Sequence, residues 1–118
     1  MTIKRASDNV INDKKFQYKM TKSPNVQKLK DAVGQIINVK AFCFYDDSAD
    51  GENEKIILTL LADDGTVYGT NSKTAMSNFD DITEFFIDEV MTERGLPIIV
   101  ESSVSKNGRE FIMLNYAG

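Results

Sequence analysis

Between Gly34 and Tyr116 the spacing of apolar residues changes twice, and that order of periods constrains the fold more than any other feature of the chain. Gln35–Tyr45, Lys55–Ala62 and Thr66–Thr70 are short β-rich runs. The polar stretch Asp46–Asn53 separates the first two, and Asp63-Asp64-Gly65 makes a tight turn before the third, because Asp-Gly tolerates the positive φ of hairpin turns. The period then lengthens. Phe79, Ile82, Phe86 and Val90 recur at i, i+3, i+7 and i+11, with Phe85 beside them, which is the apolar stripe of an amphipathic helix. Ser77 is its expected N-cap with Asp80 three residues on, and Gly95 and Pro97 stop it. Leu96–Ser105 and Arg109–Tyr116 return to strand character, joined through Lys106-Asn107-Gly108, where Asn-Gly is a strong hairpin signal.

The resulting order, β-β-β-α-β-β, has no strand–helix–strand alternation, which argues against a parallel doubly wound sheet. It is the element order of a mainly β, five-stranded OB-fold-like Greek-key barrel, with the helix between strands three and four plugging the base. Residues 35–118 are assigned to that barrel and residues 1–34 to a basic N-terminal extension packed on it or extending it. Within the extension, residues 1–14 read as a loosely docked arm. Lys15–Lys22 alternate strictly, with Phe16, Tyr18 and Met20 on one side, which predicts a strand with a basic outer face. Ser23–Gly34 predicts a short helix, with Ser23 as N-cap, Pro24 in the first turn and Gly34 just past the end. A chain of 118 residues is one domain's worth and can bury a core without staples.

Several function classes drop out. The chain has no histidine, which removes the usual acid–base group, the Ser–His and Cys–His nucleophiles and the commonest zinc ligand. Cys43 is the single cysteine, so neither an intrachain disulfide nor a cysteine metal cluster can form. No phosphate-loop, dinucleotide, zinc-protease or nucleophile-elbow motif is present. Asp46, Ser48, Asp50, Gly51 and Glu52 imitate the start of a calcium loop, but its twelfth position is Ile57 rather than a bidentate glutamate. Asp63-Asp64 belongs to a turn and Asp80-Asp81 to a helix start, so neither pair points to phosphoryl transfer. The expectation is a non-enzymatic protein with no cofactor and no metal. No apolar run reaches the length of a membrane span and no signal peptide is seen, which gives a reducing cytoplasm as the expected compartment.

The formal net charge is −4, but it is unevenly spread. Residues 1–40 carry nine basic and three acidic groups, a balance of +6, whereas residues 41–118 stand at −10. Such asymmetry gives a polarised molecule with one end attractive to polyanions. By strand parity, Ile37, Val39, Ala41 and Cys43 form a small apolar face for a barrel interior, while Asn38, Lys40, Phe42 and Phe44 form a polar, basic and aromatic face. Aromatics interleaved with cations suit a single-stranded nucleic acid: bases stack on rings at ~1–3 kcal/mol each and cations meet phosphates. Phe42 and Phe44 packing against the N-terminal segment or a second subunit is the competing reading. Tyr68-Gly69-Thr70-Asn71-Ser72-Lys73 adds a ring, hydrogen-bonding groups and a cation at the exit of the third strand. Lys106 and Arg109 flank the last hairpin tip, in a loop that closes over ligands in OB-folds. The candidate DNA-binding set is therefore Lys14, Lys15, Lys19, Lys22, Lys40, Phe42, Phe44, Tyr68, Asn71, Lys73, Lys106 and Arg109. The acidic Asp46–Glu54 loop is expected to be the ligand-poor end of the groove.

The basic start, the Tyr68–Lys73 stretch ahead of an acidic helix, and the Ser105-Lys106-Asn107-Gly108-Arg109-Glu110-Phe111 hairpin resemble the small early proteins of phages of Gram-positive bacteria. In length and layout the whole chain is similar to the single-stranded DNA-binding proteins of lactococcal siphophages. The resemblance implies an OB-fold variant in the host cytoplasm that coats single-stranded DNA without sequence preference during phage DNA replication and recombination. It also implies self-association as a homo-oligomer and a phage single-strand annealing protein as partner, with no membrane involvement. The alternative is a protein–protein interaction module whose acidic surface in residues 41–118 docks a basic partner.

Overall fold

The computed structural model describes all 118 residues, and the chain is mainly β with three helices. Seven strands enter one curled sheet: β1 (Thr2–Ala6), β2 (Gln27–Lys28), β3 (Ile36–Asp46), β4 (Ile56–Ala62), β5 (Val67–Thr70), β6 (Leu96–Val104) and β7 (Glu110–Tyr116). The helices are α1 (Asp8–Ile11), α2 (Lys14–Lys22) and α3 (Lys73–Phe86). The sheet order is β2-β5-β4-β3-β6-β7, with β1 also pairing β3. The long strand β3 organises it. One edge pairs antiparallel with β4; on the other, residues 36–39 pair with β6 and residues 43–46 with β1. The outer edge of β5 is taken by a short parallel pairing with β2, and no ladder joins β5 to β7. The result is a half-barrel consistent with an OB-like fold, open between the β2–β5 edge and β7.

Each face of the sheet has its own core. Inside the curl, Ile37, Val39, Phe42, Phe44, Leu58, Leu60, Ile98 and Leu114 pack with Phe79 and Ile82 of α3. On the opposite face, Ala41, Cys43, Tyr45 and Val67 pack with Val10 and Met20 of α1 and α2. Residues 1–34 thus pack on the sheet, and residues 1–14, expected as a loosely docked arm, are held to it through β1 and Val10.

Two predicted elements of this extension are corrected. Residues 15–22 are helical, not extended. The Asp13 side chain accepts from the backbone N–H groups of Lys15 and Phe16, which starts a helix, and Phe16 and Met20 share a face at i, i+4 as well as at strand spacing. Residues 23–34 do not form the expected helix. Ser23 ends α2 in an extended conformation, Gln27 and Lys28 pair with β5, and Leu29–Ala32 make a single 3-10 turn that buries Leu29 and Ala32. The helix α3 also begins earlier than expected: Ser72, not Ser77, is the N-cap, accepting from the Ala75 N–H at 3.2 Å. It ends at Phe86 and passes into a 3-10 turn, Ile87–Glu89.

Candidate nucleic-acid interface

The face assignment of β3 reverses partway along. Val39 pairs with Ala62 and Ala41 with Leu61, so two residues of β3 answer one of β4. This bulge at Lys40 moves every later side chain to the other face. Phe42 and Phe44 therefore point inward, 0% and 7% exposed, and lie edge-on to each other and against Phe79. They are core residues and not a stacking platform, which corrects the expectation from uninterrupted parity. The Arg5 guanidinium lies 5.1 Å from the Phe42 ring centre and 5.6 Å from that of Phe44, so a cation does meet these rings, from within the protein. Lys40 is corrected as well. Its ammonium donates to the carbonyl oxygens of Thr92 and Glu93, at 2.6 and 2.8 Å, and fastens the bulge to the turn before β6.

The open side of the half-barrel holds a cleft of about 960 Å³. One wall comes from the end of α2 and the segment through β2, with Thr21, Ser23, Val26, Gln27, Lys28, Lys30 and Asp31. The floor is Tyr45, Ile57, Thr59 and Gly69, and the far wall combines Thr70, Asn71 and Ser72 with Glu110, Phe111 and Ile112 of β7. Gly69 lets the walls come close together: a Cβ there would lie 3.0 Å from Val26 Cγ1. The buried Thr59 hydroxyl has no hydrogen-bond partner within the protein, and the Tyr45 hydroxyl makes only a long bond of 3.4 Å to the Thr21 carbonyl. Both are buried, so what the cleft offers a ligand is the partly exposed Thr70 and Ser72, the Gln27 and Asn71 amides and one half-buried ring, Phe111.

Its lining carries two cations, Lys28 and Lys30, against two carboxylates, Asp31 and Glu110. Further positive charge is available only at the rim. Of the twelve predicted residues, Asn71 lines the cleft itself. Lys19 lines a shallow neighbouring depression with Ser23, Asn25 and Gln27. Tyr68 is half-buried against the inner core, one residue from the cleft wall. Lys73, Lys106 and Arg109 are exposed close in sequence to wall residues. Lys22 is paired with Asp47 at 3.6 Å. Lys14 and Lys15 begin α2, about 13 Å of helix away from its cleft end. The sequence reading missed Lys28, Lys30 and Thr59, and left Phe111, named in the last hairpin, out of the candidate set. The first two appeared there only as charges, and the pairing of β2 with β5, which brings them to the cleft, has no signature in two residues.

The acidic loop after β3 is ordered by its own carboxylate. Asp46 accepts from the backbone N–H groups of Ser48 and Lys55, at 2.9 and 3.1 Å. The Ser48 backbone bond, then the Ser48 hydroxyl and the Lys55 backbone bond, hold its pKa down to about 2. Burial alone raises the Cys43 thiol to about 11, which leaves it neutral and unreactive at physiological pH.

A family model described as "Phage Single-stranded DNA-binding protein" matches residues 11–117. No curated protein and no solved structure matches the chain.

Proposed function

Because the chain belongs to the phage single-stranded DNA-binding protein family, we propose that it coats single-stranded DNA along the cleft between the β2–β5 edge and β7. The observation that carries this reading is the open edge of the half-barrel, where Lys28, Lys30, Asn71 and Phe111 line one groove. Phe111 supplies a ring for base stacking; Lys28, Lys30, Lys19, Lys73, Lys106 and Arg109 meet phosphates. Hydroxyl and amide groups bind sugars and base edges of any sequence, and no array of paired donors and acceptors selects one base. Such a lining suits sequence-independent binding, and the proposed role is in phage DNA replication and recombination, in the host cytoplasm and beside an annealing protein. The family is one of non-catalytic DNA-binding proteins. No helix of the chain is long and apolar enough to cross a membrane.

The balanced lining sets the salt response. With the six named cations contacting phosphates, the log–log salt slope is about −4, at ~0.7 per contact for a single strand. Fluorescence anisotropy with labelled oligo-dT, oligo-dA and a duplex at two salt concentrations tests the proposal. Similar affinity for both single strands, weaker duplex binding and a slope near that value are expected. Tighter binding to the duplex, or no binding at low salt, overturns it.

A further inference from the structure

The helices on the two faces of the sheet are opposite in charge, and each exposes large apolar side chains. On one face, α2 presents Lys14, Lys15 and Tyr18, the ring 65% exposed, with Ile11 exposed just before it. Phe16 and Met20 anchor the other side of that helix to the sheet. On the opposite face, α3 and the 3-10 turn after it contain no basic residue from Thr74 to Glu93. Asp81, Glu84 and Asp88 are exposed there, around Phe85 at 77% exposure, Ile87 and Met91. Phe79 and Ile82 face the core, so Phe85 is surplus to the fold. Exposed Phe, Tyr and Met rimmed by charge is the composition of a contact surface.

We infer that the α3 face of one copy docks the α2 face of the next. A polyanion is repelled by the α3 face, so DNA is not its occupant. The surface that complements it, basic and aromatic, is present in the same chain. Because the two patches lie on opposite faces of the sheet, the contact is heterologous: a copy engaged through one patch keeps the other free. Repetition gives an open row of subunits, the geometry suited to coating a strand. Lys14 and Lys15, which the structure leaves away from the cleft, gain a role as the basic rim of this contact. The inference rests on the self-association implied in the proposed coating function and names its surfaces.

Charge reversal tests it. One variant carries Asp81→Lys and Glu84→Lys; the other carries Lys14→Glu and Lys15→Glu. Sedimentation velocity of the wild type, alone and on poly-dT, is expected to show mass rising with protein concentration and falling with salt. Each variant alone stays monomeric, because like charges then meet at every contact. An equimolar mixture associates again, because each variant presents to the other a pair of opposite charges. A wild type that stays monomeric on and off poly-dT, variants that associate like the wild type, or a mixture that fails to recover overturns the inference. So does a monomer whose Phe85 environment responds only to an added Lys/Leu amphipathic peptide, which assigns the face to a foreign basic partner. Binding of an oligo-dT spanning a single subunit separates this test from the previous one. The α3 variant keeps wild-type affinity for it; loss of that affinity places α3 in the DNA site and overturns the inference. If the wild type itself fails to bind the oligonucleotide, the DNA reading falls while the mass measurements still decide the contact.

Discussion

Arg5 covers the Phe42 ring, its guanidinium carbon 5.1 Å from the ring centre, and so closes the inner core at the place where β1 meets α3. The same guanidinium pairs with Asp80 at 2.6 Å and donates to Thr83 Oγ1 at 2.5 Å. The pair with Asp80 is largely solvent-exposed and contributes little by itself; the ring contact and the bond to the buried Thr83 contribute more. Arg5→Ala is expected to cost about 1–2 kcal/mol in urea denaturation. Affinity for oligo-dT should be unchanged, since the Arg5 side chain packs on the inner core and is not part of the cleft lining. A loss of affinity without loss of stability would contradict the assignment.

Phe42 and Phe111 should separate stability from binding. Phe42→Ala opens a cavity among Phe44 and Phe79 and is expected to cost roughly 3–5 kcal/mol of stability. Any folded fraction should bind DNA normally. Phe111→Ala removes a half-buried wall residue and is expected to weaken oligo-dT binding roughly fivefold to a hundredfold, as one lost stacking contact does. Thermal melts and anisotropy titrations on both variants check the pair.

Two glycines with similar backbone angles should respond differently. Gly95 and Gly108 have φ of +83° and +78°. A Cβ on Gly108 meets open space, so Gly108→Ala carries only the left-handed backbone cost of ~1–2 kcal/mol. A Cβ on Gly95 would come within 2.9 Å of the Val39 carbonyl oxygen, at the bulge itself. Gly95→Ala should therefore exceed Gly108→Ala by at least about 1 kcal/mol in chemical denaturation. Equal costs would mean that the bulge is not packed as described.

Acid should loosen the Asp46 loop. The carboxylate has a folded pKa of about 2, below its ordinary 3.8, because Ser48 and then Lys55 donate to the ionised form. The stabilisation is complete above the ordinary value and is lost as pH falls from there through about 2. The amide protons of Ser48 and Lys55 are expected to lose exchange protection and shift across that window. In Asp46→Asn, which cannot titrate, the same signals should stay flat.

How much was legible depended on how far each signal could reach along the chain. The acidic loop and turn, the α3 stripe and the Asn107-Gly108 hairpin are local patterns, and the five strands from β3 to β7 stand close to where periodicity predicted them. Residues 15–22 misled because Phe16, Tyr18 and Met20 satisfy both a two-residue and a four-residue repeat. Asp13, capping from outside the window, decided for helix.

The sequence by itself determined a mainly β domain without histidine chemistry, its charge divided between a basic first third and an acidic remainder. Only the tertiary structure decided which rings are buried and where the barrel opens. A single extra residue at Lys40 turned Phe42 and Phe44 inward, and period-two parity has no means of registering such an insertion before the partner strand is in place. Likewise β2 took the edge of β5 through two residues, too few to leave a pattern, and that pairing left the cleft open beside β7.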